Sequence, residues 1–248
     1  DFFSKRWLGP MRSSPVRNIQ DFPTSSSTPP KTPEKKNQKN EGDDDSDSPD
    51  WESLVDYFSS KCPCIPCNPD NIDILLSPST FFNTLKQMIR DCEFSVLISA
   101  LYIGDGPKSK ELVATIVKRL ERAESEGKSN KNSNKNKKKL TIELVLDYHR
   151  MKDKKNLCTV AEIMAAAKGR EEFCEMKIHL FQTPSSLSNY LGLLPSRARE
   201  VLGVQHTKVF VVDDKDLVIT GANLGDDYFT TRQDRYMVVR DNAAASSF

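Results

Sequence analysis

No stretch of this chain reaches the roughly 18–20 consecutive apolar residues that a membrane-spanning helix needs. A helical span is thereby excluded, and any contact with a bilayer is expected to be peripheral. An excess of one charge is also missing. The 248 residues hold 36 Lys and Arg against 35 Asp and Glu, a formal net charge of +1. Bulk charge therefore offers no argument for a nucleic-acid partner, which ordinarily meets a strongly basic face. Histidine is scarce, with three in the chain, at 149, 179 and 206. Cys62, Cys64 and Cys67 form a Cys-Pro-Cys-Ile-Pro-Cys run, yet a structural zinc site takes four ligands and no fourth stands at a suitable spacing. The run reads as a loop rich in Pro and Cys, with no metal expected. Cys92, Cys158 and Cys174 sit singly in apolar or helical surroundings and are expected to be buried thiols.

Acidic residues are absent from positions 2–20, which carry Lys5, Arg6, Arg12 and Arg17 together with Ser4, Ser13 and Ser14. That composition matches a mitochondrial targeting segment, although Pro10 and Pro15 weaken an amphipathic helix there. The chain begins at Asp1 and not at Met, so a fragment or partial gene product is expected. Residues 21–50 have too little apolar surface to offset the entropy of ordering: Ser25–Pro33 is Ser-, Thr- and Pro-rich, and Glu41–Asp50 is acidic. Residues 1–50 are therefore expected to be a targeting and disordered segment, and 51–248 a folded domain. Trp51, Leu54, Val55 and Phe58 recur at helical spacing and predict a short amphipathic helix.

From there strand and helix patterns alternate. Strands are predicted over 71–76, 94–103, 140–148 and 176–181, and helices over 78–91, 108–124 and 157–167. The apolar run 94–103 predicts a buried central strand. Residues 128–139 hold six lysines among Ser and Asn and predict a solvated loop insertion. Leu187, Tyr190, Leu191 and Leu194, followed by Arg197 and Arg199, predict a helix that either packs on the core or lies at a lipid interface. The alternation implies an α/β fold with a largely parallel or mixed sheet.

The chemistry concentrates in 206–236. His206 and Lys208 stand two apart in a run of strand formers, Val204 to Val212, so both are expected on one strand face, about 6.6 Å apart. An imidazole there can act as nucleophile or proton carrier. The neighbouring ammonium can hold a phosphate oxygen and neutralise charge developing in the transition state. Asp213 or Asp214 ends the strand, a second strand runs over 217–220, and Gly221-Ala222-Asn223 closes a turn from which Asn223 can offer an amide donor. Elsewhere, Gly104 and Gly106 end a strand where the following helix presents free backbone N–H groups to a phosphate, and Arg150 follows another strand and can clamp a phosphate in bidentate fashion. Asp234 and Arg235 precede the strand 236–239 and are expected to fix the His206 turn through an ion pair.

His206-x-Lys208, Asp213, then Gly221-x-Asn223 resembles the signature of the phospholipase D superfamily. The stretches Gly221–Leu224, Asp227–Thr230 and Arg232–Tyr236, with Ser99–Pro107 upstream, are similar to the mitochondrial phosphatidylglycerophosphate synthases of that superfamily, over roughly Thr80 to Asp241. Seven residues separate Asp213 from Gly221, one more than is usual in the family, so Asp214 also competes for the motif position. The resemblance implies one half of a phospholipase D-like α/β/α sandwich. It implies catalytic His206, Lys208 and Asp213, and substrate contacts from Asn223, Gly104, Gly106 and Arg150. The activity implied is transfer of a phosphatidyl group from CDP-diacylglycerol to glycerol 3-phosphate, for cardiolipin synthesis, through a phosphatidyl-histidine. Cationic side chains and amides supply the electrostatics, with no metal or other cofactor. The implied place is the mitochondrion, peripheral to the matrix side of the inner membrane. A superfamily site uses two His-Lys-Asp motifs. His149 is followed by Arg150-Met151 and His179 by Leu180-Phe181, so the second motif is expected from a second half or a second copy in a homodimer. A phospholipase D, a phosphatidylserine synthase, a superfamily nuclease and a non-catalytic lipid-binding half-domain are the competing readings.

Overall fold

The computed structural model describes residues 50–129, 138–182 and 203–247. The segment 1–49, most of the lysine-rich loop 128–139 and the predicted helix around 187–202 lie outside them. Helix α1, Trp51–Ser59, forms where the apolar spacing predicts it, but none of its residues is buried.

A seven-stranded sheet follows. Its strands in chain order are β1 (Ile72–Leu75), β2 (Ser95–Ala100), β3 (Leu140–Asp147), β4 (Cys174–Phe181), β5 (Val209–Val212), β6 (Asp216–Thr220) and β7 (Tyr236–Arg240). Across the sheet the order is β1-β7-β6-β5-β2-β3-β4. The β2, β3 and β4 strands run parallel, and every other neighbouring pair is antiparallel. Helices α2 (Pro78–Asp91), α3 (Pro107–Ser129) and α5 (Lys154–Ala167) cover one face; α4 (Tyr148–Met151), α6 (Asp226–Thr230) and α7 (Asn242–Ser246) are short.

Local chemistry sets these elements. Ser77 caps α2 by accepting the Thr80 amide at 3.1 Å, with Pro78 in the first turn where its missing N–H costs nothing. Phe81, Phe82, Leu85 and Ile89 then fall on one buried stripe. On α3 the buried stripe is Leu112, Val113, Ile116, Leu120 and Ala123. These side chains meet the alternate residues Val96, Ile98, Ile142, Leu144, Phe210, Val218 and Val238 of the strands in one core, where the Phe81 ring stacks on Tyr236 at 4.4 Å between centroids. On the opposite face Val209, Val211, Leu217 and Val239 pack with Ala244 and Ala245 of α7.

The strand read over 94–103 ends at Ala100, and it alternates between buried and half-buried residues instead of being buried on both faces. Its lower face carries Ser95, Leu97 and Ser99, which only partial packing covers. Cys158 is exposed, because the α5 stripe that meets the core is Thr159, Val160 and Ile163. The strand expected from Val204 begins only at Val209. The Gln205 side-chain carbonyl takes the Thr207 amide at 2.9 Å, a local bond that replaces a ladder bond.

The register decides where loops meet. Ser99 is opposite Val209, Val209 opposite Ile219, and Thr220 opposite Tyr236. The carboxyl ends of β2, β3 and β6 therefore share one edge of the sheet with the amino ends of β5 and β7. At the other edge Asp213 binds the start of β2. Its carboxylate accepts the amides of Glu93, Phe94 and Ser95 at 2.7, 2.8 and 2.9 Å. The turn holding it has positive φ at both Asp213 (55°) and Asp214 (51°), with Lys215 N donating to Val212 O at 3.0 Å. Two such residues in sequence match the strand twist as type I′ turns do, and Asp tolerates that conformation better than most residues.

Removing the Asp213 carboxylate strands three amides, at roughly 1–3 kcal/mol for each buried one left unsatisfied. Asp213→Ala is expected to destabilise the protein by about 3 kcal/mol or more, and Asp214→Ala by well under that, as read from urea midpoints at unchanged m. Equal losses at the two positions would contradict the assignment of the clamp to Asp213.

Candidate active site

His206 and Lys208 lie in the extended segment that leads into β5, at the edge where the loops converge. They do not share a strand face in the expected way. His206 is exposed, whereas Lys208 is 3% exposed and its Nζ donates back to the His206 carbonyl at 2.8 Å. Burial lowers the Lys208 pKa, and the charge of Asp234 opposes that shift. The His206 pKa is lowered too, first by burial and then by the ammonium of Lys208. The imidazole is thus held toward its neutral, nucleophilic form with a cation beside it.

What fixes this segment is a residue that the sequence reading did not single out. Asp147, the last residue of β3, is fully buried. One of its oxygens accepts the Arg150 amide at 2.9 Å, capping α4. The other accepts the Gln205 amide at 3.0 Å. The Gln205 side chain in turn donates to Ser99 Oγ, and Ser99 reaches the Thr207 carbonyl. One carboxylate therefore ties the end of β3 to the residue before His206 and sets Arg150 beside it. The available signal was a charged residue closing an alternating apolar strand, LTIELVLD, at a sheet edge where ligands gather.

Asn223 follows β6 at the same edge. It is 7% exposed, and its Nδ2 donates to Tyr228 Oη at 3.2 Å, while Oδ1 is buried without a partner among the described residues. Gly221 has a steric reason. A Cβ there would lie 2.6 Å from Asp234 Oδ1, so only glycine leaves room for the carboxylate whose field reaches Lys208. Asp234 accepts the Arg235 amide at 2.7 Å. Its charge acts on Lys208, so of the two residues expected to fix the His206 turn electrostatically it is Asp234 that couples to the motif.

Three expected site residues sit elsewhere or are otherwise engaged. Asp213 is a full strand away from Lys208, holding backbone as described. Gly104 and Gly106 do reach the convergent edge, but the amide cradle expected there is filled from within the protein. The Gly104 amide donates to Leu224 O at 2.8 Å. Asp226 takes the Lys108 and Ser109 amides at the start of α3, each at 2.9 Å. A Cβ at Gly106 would strike that carboxylate at 2.4 Å. A carboxylate already stands where a phosphate was expected, so the α3 N-terminus is no phosphate site. Arg150 is at the edge, its guanidinium 5.8 Å from the Tyr102 ring centroid.

No family model matches the chain. Over 203 residues it is 32% identical to the probable CDP-diacylglycerol–glycerol-3-phosphate 3-phosphatidyltransferase of Dictyostelium discoideum, covering 79% of this chain and 32% of that protein. Over 201 residues it is 30% identical to the mitochondrial CDP-diacylglycerol–glycerol-3-phosphate 3-phosphatidyltransferase of Gallus gallus, covering 81% and 34%. The chain spans about a third of the length of these relatives, and across that third it is their homologue. Among solved structures, a phosphatidylserine synthase of Haemophilus influenzae superposes with a TM-score of 0.54 at 20% identity, over 79% of this chain and 38% of that one, which establishes a shared fold. The mixed sheet with helices packed on it is the α/β class expected from the sequence.

The Asp147 bridge predicts a local effect. Asp147→Asn keeps one acceptor but sets an NH2 group against an amide N–H, so one of the two bonds is lost. The Gln205 or Arg150 amide is expected to lose hydrogen-exchange protection by roughly ten- to a hundredfold, the scale of one unmade buried bond. The Glu93, Phe94 and Ser95 amides at the far edge should keep theirs. Uniform loss across both edges would show Asp147 to be a global stabiliser with no special hold on the His206 segment.

Proposed function

We infer that this chain, a member of the CDP-diacylglycerol–glycerol-3-phosphate 3-phosphatidyltransferase family, is the portion of such an enzyme that carries His206. The observation that carries the reading is a near-neutral, exposed His206 beside the buried ammonium of Lys208, on the sheet edge where Asn223 and Arg150 also arrive. The substrates are CDP-diacylglycerol and glycerol 3-phosphate, and the product is phosphatidylglycerophosphate.

A neutral imidazole nitrogen of His206 attacks the phosphatidyl phosphorus. As the P–N bond forms, the P–O bond to CMP breaks, and a second acid protonates the departing oxygen. The primary hydroxyl of glycerol 3-phosphate then attacks the same phosphorus. The P–N bond breaks, and the hydroxyl proton goes to the base that the first step left behind. Lys208 stabilises the equatorial oxygens in both steps. Asn223 adds a donor once its amide is turned half a rotation: Tyr228 O–H then donates to Oδ1, the unpartnered oxygen is satisfied, and Nδ2 is free for phosphate. Arg150 contributes a guanidinium to phosphate. Asp213 supports the motif through the start of β2. The 248 residues hold no second His-x-Lys, so the second acid comes from another half of the enzyme or from a second copy.

The acyl chains of the donor place the enzyme on a bilayer, and no helix among the described residues is long and apolar enough to cross one. Peripheral attachment to the matrix side of the mitochondrial inner membrane fits the basic segment 2–20 and the relative named as mitochondrial.

In the full-length enzyme, His206→Ala is expected to abolish CMP release from CDP-diacylglycerol, and acid-labile phosphatidyl label should map to the His206 peptide of the wild type. Near-normal turnover without His206 would end the assignment. Lys208→Gln should lower kcat by roughly 10²–10³-fold. The pH profile gives a separate check. A nucleophilic His206 must be unprotonated, so kcat/KM falls as pH drops through its lowered pKa, and the acid limb lies below the ordinary imidazole range. Lys208→Gln removes one of the two causes of that lowering. The limb should then move to higher pH, though only part of the way, since burial remains.

A further inference from the structure

Phosphatidyl transfer at His206 brings more phosphate charge to this edge than Lys208 and Asn223 can meet. Lys208 and Asn223 serve the phosphorus under attack. The donor brings a second phosphate in its diphosphate, and the acceptor brings a phosphate monoester. Each needs cationic or hydrogen-bonding partners at the same sheet edge, and the α3 N-terminus is closed to them by Asp226.

A second polar cluster stands at that edge. Leu224 joins β2's exit to the Asn223 turn: Ile103 bridges to Leu224, and the Gly104 amide donates to the Leu224 carbonyl at 2.8 Å. This joint brings Tyr102 against the start of α6, where its Oη lies 3.3 Å from the position a Cβ on Gly225 would take. On one side is Arg150, 5.8 Å from the Tyr102 ring centroid. On the other is Arg232, whose guanidinium lies 4.3 Å from the centroid of Tyr228, the ring that holds Asn223. Burial raises the Tyr102 pKa, Asp227 and Tyr228 add to the rise, and the two arginines oppose it, so both guanidinium charges reach the phenol. The hydroxyl stays protonated and able to donate.

Resting on the phosphatidyltransferase reading, we propose that Arg232, with Tyr102 and Arg150, forms a subsite for a non-reacting phosphate of the substrates, next to the phosphate that reacts at His206. Arg232 is suited to this. Its side chain is 60% exposed, and its acidic contact among the described residues, Asp227 at 3.7 Å, is long and half-exposed. Such pairs hold weakly and yield to a better anion. The guanidinium carbon sits over the Tyr228 ring, a contact made through its face that leaves N–H groups for a bidentate bond to phosphate. Asp227 then acts as a placeholder that keeps Arg232 in position when no anion is bound. Asp226 does not repel the incoming phosphate strongly, because the Lys108 and Ser109 amides and the Ser109 hydroxyl already hold its charge.

The test is two-substrate kinetics on the full-length enzyme with Arg232→Gln, Arg232→Lys and Asp227→Asn, together with calorimetry of inorganic phosphate binding to each. A subsite for the acceptor raises KM for glycerol 3-phosphate at least about tenfold in Arg232→Gln, with KM for CDP-diacylglycerol little changed. A subsite for the donor's second phosphate gives the reverse split. Arg232→Lys should recover little, since an ammonium lacks the fork. Asp227→Asn should shift the same KM the other way, by no more than about fivefold, the scale of an exposed ion pair. Unchanged KM for both substrates in Arg232→Gln, or KM moving the same way in Arg232→Gln and Asp227→Asn, overturns the proposal. If the wild type turns over neither substrate yet binds phosphate in an Arg232-dependent way, the phosphatidyltransferase reading fails and the subsite stands. Phosphate binding that ignores Arg232 overturns the subsite whatever the turnover.

Discussion

A single carboxylate holds the middle of the sheet in register. Asp213 gathers the three amides at the start of β2, and Arg119 grips the same turn from its carbonyl side, donating from Nε to Cys92 O at 2.8 Å and from Nη2 to Glu93 O at 3.1 Å. The peptide between them is held at both polar ends by opposite charges. Cys92 completes the joint: its thiol faces Asp213, and burial followed by the Asp213 charge pushes its pKa up to about 12, so it remains a donor at any physiological pH. Because β2 lies between β3 and β5, this joint fixes how the parallel half of the sheet meets the antiparallel half. A slip of one residue there would turn every side chain of β5 to the other face and carry Lys208 out of its buried place.

The opposite edge repeats the device with different residues. Asp147 binds two amides, and Asp226 binds two more with the Ser109 hydroxyl. Charge-assisted bonds of this kind are about twice as strong as neutral ones, and each here joins segments more than fifty residues apart or caps a helix. The economy of the site follows. With Asp147, Asp213 and Asp226 committed to backbone, Asp234 is the carboxylate whose field reaches Lys208, and it stays near only because Gly221 lacks a side chain. The glycine of the Gly-x-Asn turn is thus an electrostatic requirement expressed as a steric one.

Much of this was legible in the sequence wherever a repeating pattern carried the information. The apolar stripe of α2, the alternation of β3 and the hairpin β5–β6 all follow from periodicity and from residue types suited to strands. The constellation of His206, Lys208 and Asn223 at one sheet edge follows from the motif. What escaped has no period. The start of β5 at Val209 depends on a Gln205 side chain competing for an amide. Asp147 acts across a parallel crossover to a residue 58 positions later, which no local pattern encodes. Gly104 and Gly106 misled because a glycine-bearing strand–helix turn has the same sequence whether its amides wait for a phosphate or hold an internal carboxylate. The deciding residue, Asp226, lies more than a hundred positions away.

The three histidines show how environment, and not identity, assigns chemistry. His179 is half-exposed on the outer part of the sheet and pairs through Nε2 with Glu143 at 3.0 Å. His149 packs edge-on against Tyr148 and turns its Nδ1 into the protein. His206 alone among them follows an anchored residue and precedes a buried lysine. Burial and that lysine both disfavour the imidazolium, so the neutral ring is favoured. The same pair would be poor at donating a proton to a leaving group near neutral pH, because a lowered pKa leaves little of the acid form. In the proposed phosphatidyl transfer, His206 is therefore suited to the attacking role, and the departing oxygen takes its proton from elsewhere.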